Sequence, residues 1–325
     1  MDVDVVRANL RNHWNDPKWW REIAMPFAVR ATIVQPYFRY VHDNDGIDVM
    51  DEEWDNLLIL DACRYDMFAA HNTLAGDLQR RVSKGSNTAE FLQRNFAGQT
   101  FDDTVYVTAN PQVDVRLDAP FYETVSVWKD AWDEAFNTVR PEAMVEATLE
   151  AQERFPEKRI IAHFVQPHYP FIGEFGRTLV DDQAGIELSK RQATGETAES
   201  DHYNVWDLLQ RGVVSEADVW KGYNENLQLT LEHVEDLLEE LFGRTVVTSD
   251  HGNLVGERPT PCPVPFRMYG HPPSVYADAL VTVPWLVVES ETRRDIVEGV
   301  PTDERGDEPV EDEDAEERLR ALGYL

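Results

Sequence analysis

The sequence predicts an α/β fold, a three-layer α/β/α sandwich around a mostly parallel central sheet. From residue 54 onward, short apolar runs of strand length alternate with longer stretches of helical period. Those runs are apolar without alternation, as expected of strands covered on both faces. At 325 residues and 42% hydrophobic content the chain is also long enough to close one large core.

Taken in order, residues 1–50 read as an N-terminal helical arm. Within it, residues 14–41 combine Trp14, Trp19 and Trp20 with Arg21, Arg30 and Arg39, and are broken by Pro26 and Pro36. Two readings stay open: an arm packed on the main domain, or an amphipathic segment in peripheral contact with a membrane. Residues 51–290 read as the main α/β domain. Its clearest strands are Asn56–Leu60, Thr104–Thr108, Arg159–Val165, Arg244–Thr248 and Val281–Val288, and Pro284 suits an edge or a strand start. Helices are expected at Thr88–Phe96, Pro141–Arg154 and Ser215–Phe242, where they cover the sheet. The polar stretch 173–213 fits neither period and reads as an insertion or lid. Residues 291–325 are an acidic, mobile linker followed by a final helix, AEERLRALGYL.

The net charge of −31 comes from 61 acidic and 30 basic residues, only six of them lysine. Such a surface repels nucleic acid and suits a salt-rich, halophilic cytosol, where a screening length of about 3 Å at molar salt suppresses self-repulsion. The 14 Phe, 11 Tyr and 9 Trp argue against disorder. Two cysteines, Cys63 and Cys262, make no disulfide framework and no CxxC metal spacing; they read as a small buried hydrophobe and a loop residue. The polar, acidic N-terminus and the lack of any run of about 18 apolar residues place the expected location in the cytoplasm.

Three predicted strands end in chemistry-bearing residues: NLLIL runs into Asp61, RIIAHFVQ into Pro167 and His168, and RTVVTS into Asp250 and His251. In open α/β sheets ligands bind beyond the carboxyl ends of the strands, so these groups are delivered to one crevice. Two carboxylates with a neutral imidazole suit one divalent ion, Zn or Mn before Ca or Mg.

TSDHGNLVGE at 248–257, YGHP at 269–272 and the following VPWLVV resemble the metal-binding block of sulfatases and of phosphoethanolamine or lipoteichoic-acid transferases, members of the alkaline phosphatase superfamily. LILDACRYD at 58–66, QPHYPF at 166–171 and RLRALGYL at 318–325 resemble, in chain order, the first metal-aspartate strand, the substrate-histidine motif and a common sulfatase C-terminus. The resemblance spans residues 54–325. It implies an alkaline phosphatase-like fold and a nucleophile at a helix N-terminus whose oxygen also touches the metal. Aligned on its Glu-Phe pair, KGSNTAEF resembles a lipoteichoic-acid synthase stretch and places the nucleophile on Ser86, ahead of Thr88 and then Ser83. The alternative reading is that Ser86 caps the helix beginning near Thr88, and one residue can do both.

On this resemblance Asp61, Asp250, His251 and the Ser86 oxygen hold the metal. His168 and His271 contact substrate oxygens or protonate the leaving group. Arg64 and Lys84 neutralise the anionic ester or form structural salt bridges. Asn110, just after a strand, reads as a turn residue. The sequence departs from true sulfatases in lacking a CxPSR-type formylglycine motif, and from two-metal members in lacking Asp-x-x-x-His after PHYPF; Asp201 and His202 are adjacent and do not reproduce it. The expected function is metal-dependent hydrolysis or transfer of a phosphate-type ester, lipid- or glycan-linked substrates included. The alternatives are a sulfatase-like hydrolase using unmodified serine, and a non-catalytic pseudoenzyme that binds an anionic glycan or lipid.

Overall fold

The computed structural model describes residues 11, 14–42, 44–179, 204–299 and 312–324. Most of the expected 173–213 insertion, Asp201 and His202 included, and the linker at 300–311 lie outside these residues. The central sheet has seven strands: β1 (Asn56–Leu60), β2 (Asp77–Val82), β3 (Phe101–Thr108), β4 (Phe121–Ser126), β5 (Arg159–Phe164), β6 (Thr245–Thr248) and β7 (Thr282–Val288). Their spatial order is β2-β7-β6-β1-β5-β3-β4. The pairs from β6 through β1, β5 and β3 to β4 are parallel, and β7 runs antiparallel to both of its neighbours.

Period-2 alternation explains the three layers. Leu58, Leu60, Val105, Val107, Ile160, Ala162 and Val247 face one side of the sheet. There they meet Met144 and Ala151 of α3 (Pro141–Arg154) and Leu227, Leu231 and Val234 of α4 (Glu216–Glu240). Leu57, Ile59, Tyr106, Ile161 and Val246 face the other side, against Phe91, Leu92 and Phe96 of α2 (Thr88–Phe96). Each fully buried aliphatic side chain contributes about 1.5–3 kcal/mol, so both layers are strongly held. The first turn of the domain after β1 leads into α1 (Tyr65–His71).

The edge strands β2 and β4 have no counterpart in the sequence reading. DLQRRV is polar because β2 has a neighbour on one side only, and edges take charged residues. Pro284 is not at an edge either, since β7 lies between β2 and β6. The ladder with β6 begins at Trp285↔Thr248, and the Pro284 carbonyl accepts from Thr248 Oγ1 at 2.7 Å. The missing N–H therefore falls beyond the end of that ladder. The supposed linker is packed where it is described: Arg293 Nε reaches Asp55 Oδ2 at 2.5 Å, and buried Arg294 donates to Asn56 and Gln152.

In the arm, helical turns run from Pro17 to Tyr40, with five-residue π segments at Trp20–Ala24 and Arg30–Val34 preceding Pro26 and Pro36. A widened turn gives the proline ring room against the carbonyl behind it. Val34 and Phe38 are buried against Val275, Tyr276 and Leu254, whereas Trp14, Trp20, Met25 and Ile33 are exposed. No helix among the described residues is long and apolar enough to cross a membrane.

Candidate active site

Asp61 follows the last residue of β1, and the next residue, Ala62, takes a left-handed backbone with φ 61°. That turn lets the Ala62 N–H donate to Asp250 Oδ1 at 3.0 Å, which ties the end of β1 to the end of β6. The His251 N–H donates to the same oxygen at 2.8 Å. Gly252 is required here, because a Cβ would lie 2.2 Å from the Ala279 carbonyl oxygen. On the facing loop, a Cβ on Gly85 would lie 2.4 Å from Phe91 N, so only glycine lets the loop close over the start of α2.

Asp61, Asp250 and His251 are fully buried and present ligand atoms within 4.8 Å of one another. His251 donates Nδ1–H to the Gly252 carbonyl at 2.7 Å, which leaves the Nε2 lone pair free. That nitrogen lies 3.4 Å from Asp61 Oδ1 and 3.5 Å from Asp250 Oδ2. Thr88 Oγ1 completes the group, 2.8 Å from Asp250 Oδ2 and 3.2 Å from His251 Nε2. Ligands about 2.0–2.2 Å from a tetrahedral ion stand about 3.3–3.6 Å apart, close to the spacing of the His251 contacts. Asp61 Oδ1 has no hydrogen-bond partner, as a ligand oxygen needs. These four side chains fit a divalent cation.

The electrostatics agree. Burial, with Asp250 beside it, pushes the Asp61 carboxyl well above the ordinary range, and burial raises Asp250 too. Burial holds His251 at about 4, and burial together with His251 holds His271 at about 3, so both rings are neutral at pH 7. Burial thus disfavours charge on both carboxyls beside neutral imidazoles, and a bound cation is the group that would favour their ionised, ligating form.

Ser86 does not join this group. Its hydroxyl donates to Glu90 Oε2 at 2.9 Å and lies 3.1 Å from the Pro272 carbonyl, because residue 86 precedes the helix and points along the loop. Nor is Ser86 the cap: Asn87 Oδ1 accepts from Glu90 N at 3.0 Å. Ser83 is tied through its hydroxyl to the Asp250 carbonyl. Thr88, the first residue of α2, alone among the three candidates turns its oxygen inward.

Arg64 and Lys84 also lie elsewhere. The Arg64 guanidinium grips Asp66 at 2.6 and 2.9 Å, the Asn253 carbonyl at 3.0 Å and Glu257, and lies over Trp220. Lys84 Nζ pairs with Asp48 at 2.5 Å. Both are structural clamps. The basic residue beside the site is Arg116, which with Glu90, Gln112, His271 and Tyr324 lines a cavity of about 340 Å³.

His168 and His271 come together, Nε2 to Nε2 at 3.0 Å. His168 donates Nδ1–H to the Tyr169 carbonyl at 2.5 Å, so the proton between the rings belongs to His271. Asn226 of α4 fixes this loop by donating to the Pro167 and His168 carbonyls at 3.0 and 3.1 Å.

Three further residues carry the site. Asn110 donates Nδ2–H to Asp61 Oδ2 at 3.0 Å, so it is more than a turn residue. His163 lies fully buried in β5 with Nδ1 2.9 Å from Tyr106 Oη and with Nε2 unpartnered, 3.8 Å from Asp250. A histidine inside the apolar run RIIAHFV was the available signal. The Tyr324 hydroxyl donates to Asp61 Oδ2, and nothing in local sequence pattern shows that a penultimate residue returns to the centre.

No family description matches this sequence, and no curated protein does. Some solved structures are similar to part of this chain. The integral membrane lipooligosaccharide phosphoethanolamine transferase A of Neisseria meningitidis is 12% identical with a TM-score of 0.45; the match covers 73% of this chain and only 47% of that one. The periplasmic domain of the Escherichia coli protein EptC, in complex with zinc, is 15% identical over 76% of each chain, with a TM-score of 0.45. The phosphonate monoester hydrolase of Silicibacter pomeroyi is 13% identical, covering 76% of this chain and 70% of that one, with a TM-score of 0.41. At these identities the activities of those proteins are no evidence of what this chain does.

Proposed function

We propose that this chain is a metal-dependent enzyme of the alkaline phosphatase superfamily that transfers or hydrolyses a phosphate-type ester through Thr88. The observation that carries this is the placement of Thr88 Oγ1 at a helix N-terminus, 2.8 Å from Asp250 and 3.2 Å from His251, inside the Asp61–Asp250–His251 cluster. The metal motifs SDHG and GH, with the aspartate after β1, support the same family.

Asp61, Asp250, His251 and Thr88 would hold a divalent ion, Zn or Mn on these donors, which when bound would supply polarisation of the ester and stabilisation of the threonine alkoxide. Asp250 Oδ2 accepts the Thr88 proton, and the positive end of α2 favours the charge that develops on Oγ1. The Nε2–H of His271, which lies against His168 Nε2 in this structure, is the proton that would pass to the ester oxygen leaving as the Thr88–phosphorus bond forms. Arg116 stands at the cavity as the cation for the anionic remainder of the substrate. Water or an acceptor alcohol then releases the group from Thr88. Formylglycine is made from Cys or Ser, so a threonine nucleophile favours phosphate over sulfate.

The exposed arm extends this reading to lipid-linked esters. Trp20, Met25 and Ile33 are exposed beside Arg21 and Arg30 on a chain of net charge −31. The arm docks next to the site: Gln35 Nε2 donates to the Pro273 carbonyl at 2.8 Å, two residues from His271. Anionic headgroups match this combination of aromatic and guanidinium groups.

The test is turnover of aryl phosphate monoester, phosphodiester and sulfate in molar KCl with added Zn or Mn. Thr88→Ala is expected to lose at least about 10³-fold in kcat, and Ser86→Ala less than about tenfold. The reverse order of the two variants assigns the chemistry to Ser86.

A further inference from the structure

We propose that Tyr324 is a positioning residue of this centre and that the C-terminal segment forms one wall of the active site; this rests on the ester-transfer reading above. Helix α5 (Asp312–Ala321) and the residue after it dock through Ala315 and Leu322, both in the core on the α3–α4 side, and Leu319 is buried as well. Arg318 pairs with Glu134 at 2.8 Å and lies over the Trp132 ring. Past the helix, Gly323 takes φ 80°, a left-handed turn that sends Tyr324 back toward the sheet.

There the Tyr324 hydroxyl donates to Asp61 Oδ2, accepts from Asn110 Nδ2 at 3.1 Å and stands 3.5 Å from Thr88 Oγ1. Its ring stacks on His168 at 5.0 Å between centroids. The two oxygens of Asp61 are thereby divided. Oδ2 is held by Asn110 and Tyr324, and Oδ1 faces His251 Nε2 at 3.4 Å with no partner of its own. A carboxylate pinned by two neutral donors on one oxygen presents the other in a fixed direction, as groups behind metal ligands do. A second consequence is access: the stacked ring covers the imidazole pair, so substrate reaches Thr88 past the C-terminal segment.

Cobalt(II) titration of the full chain in molar KCl, followed by calorimetry and visible absorption, tests this alongside phosphate-ester kinetics. Tyr324→Phe keeps the ring and its stacking, and an unchanged melting point of the metal-free variant verifies the fold. The expected result is about 10–100-fold weaker cobalt binding, altered cobalt bands, and a lower kcat at unchanged KM. Wild-type cobalt affinity and bands in Tyr324→Phe overturn the positioning role, and a rise in turnover overturns it in favour of an inhibitory plug. A wild-type protein that binds no cobalt overturns the ester-transfer reading itself.

Discussion

Asp250→Asn separates a cation site from a merely polar core, because the substitution has opposite effects with and without metal. In metal-free protein, carboxylate oxygens of Asp61 and Asp250 lie within 4.8 Å. At an effective dielectric constant of about 20 the two charges repel by about 3.5 kcal/mol at that distance. Protonating an unperturbed aspartate at pH 7 costs roughly 4 kcal/mol; burial and Asp250 raise Asp61 and lower that cost, so proton uptake relieves part of the repulsion and the figure is an upper bound. Asparagine removes the repulsion and keeps an acceptor for the N–H groups of Ala62 and His251. Its amide then faces Thr88 Oγ1, which can accept. With metal at 1,000 times its Kd, the wild type gains about 4.1 kcal/mol that the variant does not, which exceeds the repulsion removed. Thermal unfolding at pH 7 in molar KCl, with EDTA or with excess zinc, reads this as two curves that cross: the variant melts several degrees higher in EDTA, and the wild type higher in zinc. Equal destabilisation of the variant in both buffers would refute a cation site.

Other consequences follow from the same geometry. His163 and His251 are held at about 4 and His271 at about 3 by burial, against about 6.5 in the unfolded chain. The unfolded state therefore binds more protons between those values, and stability is lost as pH falls from about 6.5 to about 4. Asp61, raised instead of lowered, offsets part of that loss as it protonates, so metal-free Asp61→Asn should show a steeper fall; urea midpoints that do not move over this range contradict the burial of these rings. Arg116→Ala should raise KM for anionic esters about tenfold with kcat little changed, whereas Arg64→Ala should lower the melting point, since Arg64 is clamped by Asp66 and Glu257. Removing residues 1–33, which keeps Val34 and Phe38 packed, should cut binding to phosphatidylglycerol vesicles at matched salt; unchanged sedimentation with vesicles rules out the arm as a lipid contact.

Much of this was legible in the sequence because it is local. NLLIL, RIIAHF and TVVT are strands buried on both faces, so each reads as an uninterrupted apolar run. The aspartates and histidines that end two of them fall at the carboxyl edge by topology alone. The edge strand DLQRRV was illegible because its composition answers to solvent and to one neighbour. The difference between Ser86 and Thr88 was illegible for another reason. Which hydroxyl turns inward depends on where the helix starts, and Asn87, not Ser86, caps it. Arg64 and Lys84 were plausible anion contacts until their partners Asp66, Glu257 and Asp48 came into view, separated from them by two to nearly two hundred residues. Tyr324 meets Asp61 across 263 positions, a contact that no local period encodes.

The central claim, that Thr88 takes up the transferred group, is tested most directly by acid-quenching the enzyme during turnover of an aryl phosphate and mapping the phosphorylated peptide by mass spectrometry. The expected result is one phosphoryl group on Thr88, absent in Thr88→Ala and present in Ser86→Ala. A phosphoryl group on Ser86, or turnover that survives in Thr88→Ala, would contradict it.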